Sequence, residues 1–518
     1  MYILTLTLFR ILGVLLPYPM NSLLILPILV AFLASTHASP TVQATGYQYG
    51  IQMDAGSTGT RLYVYKWKAR IFDTLPPSLT QVYNPKSWSN HIKPGISAGT
   101  SIQPLLDFAI EKLKSEGVTD LSGVPVFLGA TAGMRMLPPT QVTAILSGIQ
   151  ATVKQAGFLY KPEWIRVLSG EEEGTFGWVA VNSLLGTLQS QSSQTFGALD
   201  LGGASTQVTF HPDESILAGL FPLKIAQNSH MLYTHSYLYY GADQARYRMY
   251  TDLESTAAVS AKEVKSVNNP CFPIGYTEAP NPTHPTVEFV GTSDWGKCLA
   301  AASKLITDYQ PLTPSSPNGV QCLHSDHERC TFNGVYQPKI PAGMTLLAMS
   351  SFFFNWDFFQ LKTGTGSKSS DVTALLAAAE SFCTKDAAGQ AAYNNSLPDP
   401  QPAPYCYDYC FGAAYSKALL VDGYGLDATK TPIEVVDKIM VDGQKNDVTW
   451  AYGAMLYEIN RLGWTYDAPT ATPFSTPFYV SLAISLLLLT VTFFLAFKLQ
   501  RIKNRGGGTS EDASYSSI

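Results

Sequence analysis

Charge is what this sequence has least of. Asp, Glu, Lys and Arg make up 14% of its 518 residues, against 46% hydrophobic. The net charge is −5, so no basic excess favours nucleic acid as a partner. Histidine is scarce too, with eight in the chain and no pair at convincing helical ligand spacing. His324, Asp326, His327 and Glu328 do cluster between Cys322 and Cys330. A small disulfide loop with a polar tip accounts for them better than zinc, which needs thiolates in fixed geometry. Cysteine is absent before Cys271 and after Cys410, so all seven crowd into one stretch.

Long hydrophobic runs are missing except at the two ends. From Pro477 to Phe497 no residue is charged, and Lys498, Arg501, Lys503 and Arg505 follow. That run is long enough for a hydrocarbon core of roughly 30 Å. The basic flank places the tail, 498–518, in the cytosol and the preceding chain outside the cell or in a lumen. Near the N-terminus, Ser22 to Ala34 is apolar and Thr36-His37-Ala38 fits a signal-peptidase site. Residues 1–38 therefore read as a cleaved signal or an uncleaved anchor. Either puts the bulk of the chain where disulfides form. Cys322 and Cys330 close a short loop, Cys271 and Cys298 make a second pair, and Cys383 is left with Cys406 or Cys410. Asn394-Asn395-Ser396, in a polar, Pro-rich stretch, is the glycosylation sequon and is expected on an exposed loop.

What the sequence does have is one phosphate-gripping pattern written twice. At Asp54 it reads DAGSTGTRLYV, and at Asp200 it reads DLGGASTQVTF. The two align without a gap: an Asp, a turn rich in Gly and hydroxyls, Thr60 or Thr206, then an alternating strand. Glycines let backbone N–H groups turn inward around an anion. A carboxylate beside a phosphate needs a divalent cation or its water shell between them. Two such hairpins suggest two related half-domains facing one polyphosphate–metal complex.

Between the hairpins, strand–loop–helix units recur. Val124 to Gly129 reads as a strand, ATAGMR as a loop, and Thr140 to Phe158 as a helix. Trp164 to Gly170 reads as a strand, followed by Glu171-Glu172-Glu173-Gly174 and a helix through FGWVAVNSLL. Asp447 to Leu462 reads as a final helix. The fold class expected is α/β with mixed sheets and a cleft between two domains, since loops at the C-terminal ends of strands bind ligands in such sheets. Three acids opening a helix can simply complement its dipole. At the rim of a phosphate cleft, one of them can instead take a proton from an attacking water. Ser57 or Ser205 as a covalent nucleophile is less well supported, because no histidine base stands beside either.

DAGSTGTRLYVYKW, GATAGMR, SGEEEGTFGW, ALDLGGASTQVTF and WAYGAMLYEIN resemble the five signature regions of the apyrases, the nucleoside triphosphate diphosphohydrolases, in the family's order. THSYLYYGADQAR, NPCFPIGY and CTFNGVYQP add to the likeness, which covers about Gln48 to Leu462. The resemblance implies two domains of the actin, heat-shock ATPase and sugar-kinase (RNase H-like) superfamily. Domain I would span 46–168 with 440–465 returning to it, and domain II 169–439, before a stalk at 466–476 and a transmembrane helix at 477–497. It implies removal of the terminal phosphate from nucleoside tri- and diphosphates with Ca²⁺ or Mg²⁺.

By the same resemblance Glu173 is the general base and Thr131 helps position the water. Ser57, Thr58, Gly59 and Thr60 form the first phosphate loop, and Gly202, Gly203, Ala204 and Ser205 the second. Asp54, Asp200 and Gln207 hold the metal through water, and Trp450 closes over the phosphates. Phe353, Phe354 and Tyr405 are candidates to stack on the nucleobase, although aromatics in SSFFFNWDFF are at least as readily core. The family's disulfide positions favour Cys383–Cys410 and leave Cys406 unpaired.

Gly59 stands where several cell-surface relatives have His, so preference between tri- and diphosphates does not carry over. A lumenal diphosphatase acting on UDP or GDP, a sugar or acetate kinase, and a silent surface receptor on the same scaffold are the rival readings. A lumenal kinase would lack a ready supply of ATP. The receptor reading is opposed by Asp54, Glu173 and Asp200 occurring together. Association through the membrane helices is left open.

Overall fold

A computed structural model of the chain describes residues 46–68, 82–85, 87–190, 194–256, 265–280, 283–307, 331–366, 371–441, 443–461 and 476–505, with side chains in the last segment from Ser485 on. The N-terminal segment, the pair Cys322 and Cys330 with its polar cluster, the stalk up to Ser475 and the tail after Arg505 lie outside the described residues. Residues Thr45–Gly463 form one unit, and the helix Thr476–Arg505 belongs to another and is described by itself.

The two repeated motifs both fold as hairpins. Strands β1 (Tyr47–Ala55) and β2 (Thr60–Lys68) pair antiparallel through the turn at Gly56 to Gly59, with Asp54 opposite Arg61. Next in the chain come β3 (Ser89–Ile92), β4 (Val126–Ala130) and β5 (Ile165–Val167), completing a sheet of order β3-β2-β1-β4-β5. β4 runs parallel to β1 and β5 parallel to β4, with helices in the intervening chain. The second hairpin is β6 (Gly197–Leu201) and β7 (Ser205–Phe210), with Asp200 opposite Gln207. β8 (Leu220–Ile225) and β9 (Asn228–Leu238) extend it. A separate three-stranded sheet holds β10 (Lys265–Asn269), β11 (Thr277–Glu278) and β12 (Val287–Gly291). β13 (Leu346–Ser350) and β14 (Ile433–Val435) then finish the second large sheet, of order β14-β13-β6-β7-β9-β8. The order β3-β2-β1-β4-β5 is thus repeated as β9-β7-β6-β13-β14, with β8 added at the edge. Strands β15 (Lys438–Val441) and β16 (Gln444–Asp447) make a small hairpin leading to the helix Trp450–Arg461.

Apolar side chains collect in three layers. One joins Ile51, Met53 and Val126 of the first sheet to the helices Gln103–Ser115 and Pro139–Gln155. A middle layer joins Tyr63, Tyr65 and Trp67 to the helices Gly170–Leu184 and Trp450–Arg461 and to Leu232 and Leu347 of the second sheet. Burial of this kind is worth roughly 25 cal/mol per Å² of apolar surface. The two central helices approach so closely that a Cβ at Gly453 would lie 1.9 Å from the Phe176 carbonyl oxygen. The third layer lies on the far face of the second sheet and contains both described disulfides, Cys271–Cys298 and Cys383–Cys410. Cys406 is free and buried.

The helix expected over 140–158 occupies Pro139–Gln155, and the one expected over 447–462 begins at Trp450. The sequon is the clearest departure. Asn394 does not sit on an exposed loop but in the last turn of the helix Ala387–Asn395. It is buried, its Nδ2 donates to the Gln401 carbonyl at 2.9 Å, and its Oδ1 accepts from the Gln401 N–H at 2.9 Å. The proline-rich stretch begins only after it. Among the described residues one helix is long and apolar enough to cross a membrane, Ser485–Arg505, with a mean hydropathy of 1.5 and exposed leucines and phenylalanines.

Candidate active site

The two hairpin turns face one another across a cleft of about 630 Å³. Their proximity is set by glycine: a Cβ on Gly203 would come within 2.6 Å of Ser57 Oγ and of an Asp243 carboxylate oxygen. Asp54, Ser57, Thr58, Gly59, Thr60, Thr131, Glu173, Asp200, Gly202, Gly203, Ala204, Ser205, Phe353, Phe354 and Trp450 all line this cleft. Thr60 is fully buried and its Oγ1 accepts from the Ile96 N–H at 3.2 Å, with its own proton still to offer. Gln207 lies one step behind the lining, and Tyr405 lines a neighbouring cavity instead.

The three consecutive glutamates separate by direction, because successive helical residues point about 100° apart. Ser169 caps the helix Gly170–Leu184 in a reciprocal box with Glu172, at 3.1 and 3.0 Å. Arg166 grips Glu172 with both nitrogens at 2.8 Å. Burial works against charge on Glu172, yet the Arg166 hydrogen bonds and the Ser169 N–H hold its carboxyl below the usual range. The capping reading of an acidic first turn thus describes Glu172. Glu173, one residue on, is buried and turned into the cleft.

Glu173 Oε2 accepts from Arg135 Nη2 at 2.6 Å and from Gln207 Nε2 at 3.2 Å. Arg135 Nη2 also reaches Ser205 Oγ at 3.1 Å, and Gln207 Nε2 reaches the same oxygen at 2.8 Å and Ser236 Oγ at 2.9 Å. A hydroxyl oxygen has two acceptor positions. Arg135 and Gln207 can each donate to Ser205 Oγ, which leaves the Ser205 proton to offer to a ligand. Neither Arg135 nor Gln207 reaches Glu173 Oε1. Arg135 and Ser236 were not anticipated as site residues. Arg135 stands inside the GATAGMR signature, but its partner lies on another element and no spacing announces it.

Three carboxylates share this buried space. Burial pushes Glu173 up to about 8, with Arg135 opposing and Asp200 adding to the rise. Burial likewise pushes Asp54 up to about 7, against the pull of Arg61, and Asp200 moves in the same direction. Asp54 Oδ1 and Asp200 Oδ1 are both buried without a hydrogen-bond partner among the described residues. Two orphaned carboxylate oxygens beside phosphate-type loops fit a hydrated divalent cation. No group of three or more His, Cys, Asp or Glu side chains among the described residues forms a direct metal cage. Trp450 lines the same cleft and, with Arg61, works against the rise of Asp54.

A second cavity, of about 230 Å³, shares Leu201, Ser351 and Phe354 with the cleft. Phe354 and Tyr405 are 50% and 64% exposed on its walls, far from the core role that aromatics in this run could have had. Arg246 forms an ion pair with Asp408 there and approaches Asp243 at 3.6 Å.

Comparison with known proteins agrees with this geometry. The GDA1/CD39 (nucleoside phosphatase) family matches residues 41–471. Human ectonucleoside triphosphate diphosphohydrolase 2 is 32% identical over 80% of this chain and 83% of its own length. Rat ectonucleoside triphosphate diphosphohydrolase 1 is 30% identical over 88% of each chain. The solved structure of nucleoside triphosphate hydrolases from Neospora caninum aligns with a TM-score of 0.58 at 16% identity, covering 85% of this chain and 98% of that one, so the fold is shared. The chain belongs to the GDA1/CD39 family and is a hydrolase of nucleoside phosphates.

Proposed function

We propose that the protein is a membrane-anchored apyrase that removes the terminal phosphate of nucleoside tri- and diphosphates by direct attack of water. Glu173 is the general base, and the observation that carries this is its grip. Arg135 and Gln207 hold Oε2, while Oε1 and the Ser205 proton are left for a water between them. Thr131, at the end of β4, completes that wall of the cleft. The turn at Ser57 to Thr60 and the turn at Gly202 to Ser205 offer N–H and hydroxyl donors to successive phosphates. Asp54 and Asp200 would hold the waters of one Ca²⁺ or Mg²⁺ ion, with Gln207, the strand partner of Asp200, beside them. When bound, the cation screens the charge of the phosphates and lets both aspartates ionise.

The repeated half-sheets support two half-domains of the actin superfamily, 46–168 with 440–465 returning, and 169–439. Phe354 and Tyr405 are suited to sandwich a nucleobase in the second cavity, with Phe353 behind Phe354 at 5.7 Å between ring centroids. The apolar helix at the C-terminal end supports an anchor with the cleft outside the cytosol.

The direct test is phosphate release by purified full-length protein from ATP, ADP, UDP and GDP, with Ca²⁺, with Mg²⁺ and with chelator. Release that requires a divalent cation and continues from tri- to diphosphate is expected. Activity undiminished by chelator would contradict the role of Asp54 and Asp200. A strict UDP and GDP preference would redirect the reading to lumenal glycosylation.

A further inference from the structure

After the helix Ala387–Asn395 the chain passes through Pro398, Pro400, Pro402 and Pro404 before the turn Tyr405–Tyr407. Proline has no N–H, so between 398 and 404 only Asp399, Gln401 and Ala403 can donate from the backbone. Such a stretch makes a poor strand and a poor helix, and it has to be fastened from outside. The sequon asparagine does this. Asn394 Nδ2 donates to the Gln401 carbonyl and Asn394 Oδ1 accepts from the Gln401 N–H, both at 2.9 Å. Two bonds to one residue fix its direction as well as its distance. Gln401 Nε2 adds a bond to the Asp399 carbonyl at 3.2 Å. The helix that carries Asn394 is itself anchored. The Ala387 N–H donates to the Ile274 carbonyl at 2.8 Å, and Gln390 is fully buried.

The loop closed in this way carries part of the second cavity. Gln401 and Tyr405 line it together with Phe354 and Asp408. The Tyr405 N–H donates to the Pro402 carbonyl at 2.8 Å, so Tyr405 hangs on the residue next to Gln401. A glycan would be joined at Asn394 Nδ2, the atom that bonds to Gln401. Asn394 is 4% exposed, which leaves a sugar no room. A glycan there requires the amide to swing out and both bonds to Gln401 to open. Ser396 is engaged as well, its hydroxyl donating to the Tyr393 carbonyl at 2.6 Å.

We propose that Asn394 is a positioning residue for the second cavity, and that its sequon carries no glycan in the active protein. Its amide holds Gln401, and through the loop Tyr405, where a nucleobase stacks. This rests on the reading of that cavity as the nucleobase site. Asn394 lines neither cavity and acts only through the loop it closes.

The test uses full-length protein from a secretory host that glycosylates. Peptides covering Asn394 are weighed by mass spectrometry with and without glycosidase. Asp213→Asn makes a control sequon with Glu214 and Ser215, all three on exposed chain. The control site should carry a glycan and Asn394 none. A glycan on Asn394 of active protein would overturn the proposal. If neither position carries one, the lumenal placement falls, and kinetics decide the role of Asn394. Asn394→Ala loses both bonds to Gln401. It should raise KM for ATP and UDP about 10-fold, as when a binding-competent wall is in place in only about one molecule in ten. Its kcat should hold, and so should the inhibition constant of inorganic triphosphate, which has no base. Ser396→Ala removes the sequon, keeps the amide, and should change none of the three. Asn394→Asp keeps only the acceptor and should fall between, and it carries the test if the alanine variant folds poorly. An inhibition constant that rises with KM would make Asn394 a general support of the fold and overturn its positioning role. Phe354→Ala is the reference. If it raises KM and the Asn394 variants do not, the role of Asn394 is overturned while the nucleobase reading stands. If none of them raises KM, both fall.

Discussion

The two hairpins share a backbone register but carry different chemistry across it. In the first sheet Asp54 faces Arg61, and Arg61 faces His91 on the next strand. In the second, Asp200 faces Gln207, and Gln207 faces Ser236. One rank reads acid, cation, imidazole and is open to the cleft at Arg61 and His91. The other reads acid, amide, hydroxyl, and Gln207 is buried. A cationic rank attracts phosphate. A neutral, buried rank cannot do that as well, but it can fix hydrogen-bond directions, and it leads to Glu173. On the proposed reading the repeated hairpin gives two phosphate grips, and the different residue opposite each aspartate, Arg61 or Gln207, separates holding from activation.

The largest effect should come from Glu173, which the second rank holds through Gln207. Glu173→Gln is expected to lower kcat on the order of 10³-fold, as loss of a general base does, with nucleotide binding largely kept. Arg61→Gln, in the first rank, should chiefly raise KM. Steady-state kinetics on both variants compares the ranks directly, and a KM effect confined to the Glu173 variant would reverse the assignment. Next in size, Arg135→Met should lower kcat about 100-fold, within the range for acid–base positioning, with KM less affected. Arg135→Lys should recover only part, because an ammonium lacks the second nitrogen, Nη1, that ties the guanidinium to the Leu168 carbonyl while Nη2 serves Glu173 and Ser205. Equal activity of the lysine variant would show that charge alone suffices.

The aspartates should behave alike, because each rank begins with one. Burial raises Asp54 to about 7 and raises Asp200 as well. An acid whose folded pKa lies above its unfolded value stabilises the fold at low pH and loses that contribution as pH rises through the folded value. The cation-free protein should therefore melt at a lower temperature near pH 8 than near pH 5. Asp54→Asn should remove part of that slope, on the order of 1–2 kcal/mol given about 1.4 kcal/mol per pKa unit. Cation affinity should rise over the same window, since binding requires the ionised form. A melting temperature flat across that range would mean that Asp54 is not held in a neutral form. The smallest effect on catalysis belongs to the far layer of the second half. Cys383→Ser should cost about 3 kcal/mol of stability for a loop of this length, with kcat unchanged. A large kcat loss would mean that the disulfide layer shapes the cleft as well as supporting it.

Much of this was legible in the sequence because it was local. Each hairpin is one continuous motif, and the strand–loop–helix units that carry Thr131 and Glu173 are continuous too. The family signatures then assigned roles that spacing alone could not. Contacts between distant elements were not legible. Arg135 meets Glu173 through the fold, and the pairing of Gln207 with Ser236 depends on which strand lies beside β7. Gln207 was expected on the metal side, and its amide nitrogen is spent on Glu173, Ser205 and Ser236. Asn394 was misplaced for a simpler reason: the polar stretch around it continues a helix for one more turn, and its amide is used to fasten the chain that follows.

On the proposed reading Glu173, held by the second rank, activates a water that attacks phosphorus directly, and the serines of both turns act as donors rather than nucleophiles. The configuration at phosphorus tests it. A nucleoside triphosphate with a chiral, isotopically labelled γ-thiophosphate, hydrolysed by the full-length protein in labelled water, should yield inverted thiophosphate carrying one solvent oxygen. Retention of configuration would mean two displacements through a phosphorylated side chain, and would contradict the account.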